Sequence, residues 1–107
     1  MGRRKRSSAE ASEQASDTAV IRKVRIVNSL GLHARPSALF VQTANQFPRC
    51  RVSVGNGRES VNGKSIMGMM TLAAAFGTEL TLEIVGEDAM GAMNALCQLI
   101  ANKFDEE

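Results

Sequence analysis

Hydrophobic and polar positions divide the chain into a silent N-terminal stretch and a strongly patterned remainder. Residues 1–19 hold no Leu, Ile, Val or Phe, so they have nothing to bury and read as a disordered tail. From Val20 onward the pattern is dense, and residues 20–107 read as one domain. Residues 20–27 (VIRKVRIV) are β-branched and roughly alternating, which predicts a first strand. A turn-rich loop, Asn28 to His33, comes next, and Pro36 suits the first turn of a helix, where a missing N–H costs nothing. Leu39, Phe40, Thr43, Ala44 and Phe47 recur at helical spacing until Pro48 stops them. Residues 51–54 and 58–61 flank Gly55-Asn56-Gly57 and predict a hairpin. Ser65 stands as the N-cap of a short helix with Met69 and Leu72 facing inward. Gly77 is placed as a breaker after Ala73-Ala74-Ala75-Phe76. Residues 79–85 alternate cleanly as a last strand. Glu87 and Asp88 then open a helix at its positive end, with Met90, Met93, Cys97, Ile100 and Phe104 as its apolar stripe. The order βαββαβα predicts an α+β fold, with helices on one face of an antiparallel sheet.

Composition narrows the chemistry. The 107 residues suit one compact domain, and 44% hydrophobic residues suffice for a core. A single His and two Cys exclude most metal cages, so neither a metal nor another cofactor is expected. With Phe as the sole aromatic type, stacking platforms for bases are scarce. Net charge is only +2, which argues against a duplex-binding surface. The tail's Arg3-Arg4-Lys5-Arg6 run resembles a basic patch. However, no apolar segment comes after the arginine pair, as a twin-arginine signal would need, and Arg6 stands where myristoylation needs Ser or Thr. No run reaches the roughly 20 apolar residues of a membrane span. Cys50 and Cys97 form no CxxC, so a cytoplasmic protein with reduced thiols is expected.

The imidazole sits in Gly31-Leu32-His33-Ala34-Arg35-Pro36, at the mouth of the first predicted helix. Free N–H groups and the helix dipole make such a mouth an anion site. Arg35 adds a permanent cation that can grip an oxyanion with two N–H groups. No second base and no Gly-rich nucleotide loop accompany them. A nucleophile beside a phosphate-sized cradle suits a covalent phosphoryl acceptor, an intermediate in transfer rather than an enzyme turning over a small molecule. Spacing alone leaves it equally open that His33 merely caps its helix.

The two motifs break that tie. Gly31-Leu32-His33-Ala34-Arg35-Pro36 and, in order after it, Gly63-Lys64-Ser65-Ile66-Met67-Gly68 resemble those of the histidine-containing phosphocarriers of the phosphoenolpyruvate phosphotransferase system, HPr and its nitrogen-branch relative NPr. The resemblance covers residues 20–107. It implies an open-faced β-sandwich in which a four-stranded antiparallel sheet is covered on one face by three helices. It implies that His33 takes a phosphoryl group on Nδ1 from Enzyme I and passes it to an EIIA-type protein, with Arg35 stabilising the phosphate. It also implies that Ser65 is the site of a regulatory HPr kinase/phosphorylase. Ile66, Met67 and Met70 are expected to form the partner-docking patch, since flexible Met suits a surface that meets several partners. A monomer with no membrane or nucleic-acid partner is expected.

The branch stays open. Leu30, a helix over 36–46 free of Lys and Arg, and the closing Phe104-Asp105-Glu106-Glu107 lean toward the nitrogen type. Against this, Lys64-Ser65-Ile66-Met67-Gly68 resembles the kinase-regulated form. An alternative also stands: a regulatory interaction module of co-repressor type, controlled at Ser65, with little phosphotransfer role.

Overall fold

A computed structural model describes residues 19–106; the tail's RRKR patch lies outside them. The elements are strand β1 (Ala19–Arg25), helix α1 (Ala34–Ala44), strands β2 (Cys50–Gly55) and β3 (Ser60–Asn62), helix α2 (Ile66–Leu72), strand β4 (Glu79–Gly86), helix α3 (Ala89–Ala101) and a short 3-10 turn (Lys103–Asp105). The four strands form one antiparallel sheet in the order β1-β4-β2-β3. β4 is central because its alternate residues Leu80, Leu82 and Ile84 are fully buried, while Glu79 and Glu83 face water. α3 packs on β1 and β4, and α1 lies against both α2 and α3. The result is the α+β fold expected from the element order, with the four-stranded open-faced sheet that the family resemblance implies.

The core joins Leu80, Leu82 and Ile84 to Val52 and Val54 of β2, Phe40 of α1, Met69 of α2, and Met93, Leu96 and Ile100 of α3. Gly63 is required by this packing: a Cβ there would lie 2.5 Å from Val52 Cγ1 and 3.1 Å from the Phe40 ring. Lys64, next in line, donates from Nζ to the carbonyls of Phe47 (2.8 Å) and Cys50 (2.6 Å), tying the α1–β2 connection to the start of α2.

Element boundaries depart from the periodic reading in three informative places. α1 begins at Ala34, so Pro36 occupies its third position, still inside the turn that needs no N–H partner. The hairpin return is only Ser60–Asn62, because Asn56 Oδ1 accepts from the N–H groups of Arg58 and Glu59 (both 3.0 Å) and holds them in the turn. The expected stripe on the last helix is the larger correction. The buried side of α3 is Ala89, Ala92, Met93, Leu96 and Ile100, whereas Met90 is 51% exposed and Cys97 lies at the flank. Small alanines take part of the buried side, a choice that hydrophobic size alone does not reveal. Phe104 is fully buried as anticipated, but it lies beyond the helix in a left-handed turn. The acids also sit just outside the helix: Asp88 is its N-cap and makes no capping bond, and Glu87 pairs with Arg49 at 3.0 Å.

Candidate functional site

The loop between β1 and α1 is held from below. Ile26 exchanges backbone hydrogen bonds with the 77–78 turn, donating to Thr78 O (2.9 Å) and accepting from Gly77 N (2.8 Å). Leu32 N donates to Ala74 O at 2.8 Å, which docks the loop on the segment just after α2. Gly31 sits between these anchors at φ +71°, and a Cβ on it would lie 2.4 Å from Ala74 O. Only glycine permits both the turn and that approach. The chain then reaches His33 in extended conformation as the N-cap of α1.

His33 is half-exposed, with 39% of its side chain accessible. Its carbonyl accepts from Ser37 N (3.0 Å), closing the first helical turn, and its side chain makes no capping bond. Capping is therefore not what the ring performs. Ala34 and Arg35 leave their backbone N–H groups without partners among the described residues, and Pro36 has none to offer. Arg35 is exposed and makes no ion pair among the described residues. Two open amides, a guanidinium and an imidazole thus share one helix mouth, an arrangement suited to a dianionic oxyanion group.

Glu106 is the residue that sequence reasoning missed. Its Oε2 lies 2.7 Å from His33 Nε2, and its side chain is only 13% exposed. Asn28, fully buried, donates from Nδ2 both to Glu106 Oε1 (2.9 Å) and to Gly31 O (2.8 Å). The His33–Glu106 contact spans 73 residues of sequence. No local spacing marks it; the only sequence sign is an acid shortly after an apolar Phe104 that must be buried.

The second motif lies along α2. Ser65 is its N-cap, with Oγ accepting from Gly68 N at 2.9 Å, and is half-exposed. The outer face of α2 carries Ile66 (43% exposed), Met67 (77%) and Met70 (42%), while Met69 and Leu72 are buried. Ala73 to Ala75, just beyond α2, line a shallow cleft with His33, Leu30 and Leu32. The C-terminal end of α2 therefore abuts the imidazole, and Ser65 stands at the other end of a helix about 10 Å long. Leu30 and Phe76, 72% and 65% exposed, widen the apolar ground beyond the residues singled out from sequence. Among the described residues there is no cluster of His, Cys, Asp and Glu able to hold a metal, and no helix long and apolar enough to cross a membrane.

Such a fold, with an accessible imidazole at a helix mouth beside open anion donors, is that of small phosphocarrier proteins. Comparison with known proteins agrees. Residues 20–102 match the family model described as the PTS HPr component phosphorylation site. The chain is 53% identical over 85 residues to the phosphocarrier protein HPr of Pseudomonas aeruginosa, covering 78% of this chain and 93% of that one. It is 44% identical over 88 residues to the phosphocarrier protein HPr of Treponema pallidum, covering 82% and 99%. A crystal structure of HPr from Thermoanaerobacter tengcongensis superposes with a TM-score of 0.78 at 44% identity, over 82% of this chain and 98% of that one. The chain belongs to the HPr family of phosphocarrier proteins of the phosphotransferase system.

Proposed function

We propose that His33 is the phosphoryl-carrying residue, charged through Nδ1 by phospho-Enzyme I and discharged to an EIIA-type protein. The observation that carries this reading is the helix mouth itself: a half-exposed imidazole beside the N–H groups of Ala34 and Arg35 and the guanidinium of Arg35, none of which has a partner among the described residues. A phosphoryl group on the ring would meet these donors within one turn of helix, and the α1 dipole would favour its charge. Arg35 then neutralises the equatorial oxygens during transfer, where charge spreads over them.

Ile66, Met67 and Met70 form the docking surface in this reading, together with Leu30 and Phe76, since all are exposed apolar side chains of a small domain. Ser65 is the regulatory site. A phosphate there adds nearly two negative charges at the edge of that surface, so it acts on docking rather than on the fold. The exchange takes place between cytoplasmic partners, with this chain acting as a monomer.

The test is direct. Incubated with phosphoenolpyruvate and Enzyme I, the protein should acquire an acid-labile, base-stable phosphoryl adduct, and His33→Ala should abolish it. Arg35→Ala should retain the adduct but slow its formation by about 10- to 100-fold, the worth of one charge-assisted contact of about 1.5–3 kcal/mol. Persistence of the adduct in His33→Ala removes the assignment.

A further inference from the structure

We propose that Glu106 is a positioning residue of the transfer reaction, holding the His33 ring through Nε2–H so that the Nδ1 lone pair is presented to the phosphoryl group, and balancing the charge the ring then acquires. The inference rests on the reading of His33 as the carrier. Three features of the structure support it independently of sequence likeness.

The first is the contact. A carboxylate oxygen at 2.7 Å accepts only from a ring nitrogen that bears a proton. In the neutral ring, the form able to attack phosphorus, that proton is on Nε2 and Nδ1 keeps its lone pair. The second is the support behind the carboxylate. Asn28 is fully buried, and both protons of its Nδ2 are committed, one to Glu106 Oε1 and one to Gly31 O. Turning the amide over would face its oxygen toward two acceptors, so this orientation is the one the network allows. Its own Oδ1 is buried without a partner among the described residues. A buried polar atom left unpaired is costly. That cost is tolerated where the amide's donors are needed to fix Glu106. The third is the backbone. Lys103, Phe104 and Asp105 all have positive φ (59°, 54° and 61°), a run that side-chain-bearing residues rarely adopt. These residues turn the chain sharply after α3, with fully buried Phe104 as the anchor, and so deliver Glu106 to the imidazole.

The chemistry balances without moving a proton. The Nδ1 lone pair forms a bond to phosphorus while the phosphorus–nitrogen bond of the donor phosphohistidine breaks and its pair returns to the donor ring. Because Nε2 keeps its hydrogen, the phosphorylated His33 ring carries a positive charge, which faces the Glu106 carboxylate. On discharge, the Nδ1–phosphorus pair returns to Nδ1 and the ring leaves neutral. The carboxylate thus stabilises the charged carrier relative to the free one, which makes it a determinant of how far the transfer equilibrium lies toward phospho-His33.

Two readouts on the full chain separate this proposal from the reading it rests on. In the unphosphorylated protein, the Nε2–H proton of 15N-labelled His33 should give a resonance protected from exchange with water, and Glu106→Ala should lose it. In the transfer assay, the ratio of phosphorylated to free protein at a fixed phosphoenolpyruvate-to-pyruvate ratio should fall about tenfold in Glu106→Gln, a near-isosteric variant that lacks the charge. The melting temperature of that variant should stay within a few degrees of the parent, which a merely structural role would not combine with a shifted equilibrium. A wild-type equilibrium and rate in both variants, or no protected Nε2–H in the parent, overturns the role of Glu106 while leaving His33 as carrier. Failure of the parent to form any His33 adduct overturns both.

Discussion

At the scale of single residues, the site depends on positions that do no chemistry. Gly31 has neither a side chain nor a charge, yet its left-handed φ and its approach to Ala74 set where His33 begins. Replacing it with alanine imposes a disfavoured conformation and a steric conflict with a backbone carbonyl. Gly31→Ala should therefore destabilise the domain by about 1–3 kcal/mol and slow phosphoryl transfer, because His33 lies two residues on. Denaturant unfolding and the transfer assay check both effects; a neutral variant would mean that the loop does not rest on the 74–75 segment. Glu106 shows the converse case, a residue with evident chemistry whose relevance comes only from the company the fold gives it.

Among the elements, α2 is the instructive one. Its seven residues split into an inner pair, Met69 and Leu72, and an outer set including Ile66 and Met67, as a helical period over that stretch requires. The helix is too short to be stable by itself; it is held by Ser65 at one end, the buried pair in the middle and the left-handed Ala73 at the other. Aspartate serves as an N-cap about as well as serine. Ser65→Asp should accordingly keep the stability within about 0.5 kcal/mol, measured by thermal unfolding. It should nevertheless slow phosphorylation of His33 by Enzyme I by about tenfold at low salt, because the new charge would flank the proposed docking face. An unchanged transfer rate would remove the regulatory role assigned to Ser65.

For the molecule as a whole, the buried thiol of Cys50 at the start of β2 links folding to alkaline pH. Cys50 is 3% exposed, and its Sγ donates to Glu87 O at 2.9 Å. Burial pushes its thiol above the ordinary value of 9.0, with Lys64 opposing the rise and nearby Asp88 and Glu87 adding to it. The folded state thus binds this proton more tightly than the unfolded chain does. The associated stability is complete below pH 9.0 and is lost as pH rises beyond it toward the folded value. Unfolding free energy should fall with pH above about 9, and the slope should be shallower in Cys50→Ala, as denaturant titrations across that range would read. Below that range the thiol should resist alkylation in the folded protein.

The order of elements, the fold class and the two faces of α2 were legible along the chain, because each is written in contacts within a few residues: alternation in strands, the 3.6-residue period in helices, caps and turn residues. The helix mouth at His33 was legible in the same way, but its reading as a carrier site came from the resemblance of two motifs, not from spacing. The inner face of α3 was not legible, since the small Ala89 and Ala92 are buried while Met90, more apolar by size, is turned to water. Nor was the union of Asn28, His33 and Glu106, which lie up to 78 residues apart. Local pattern fixes which way a side chain faces on its own element. Only the packing of α3, and the left-handed turn that Phe104 anchors in the core, decides which carboxylate returns to the imidazole.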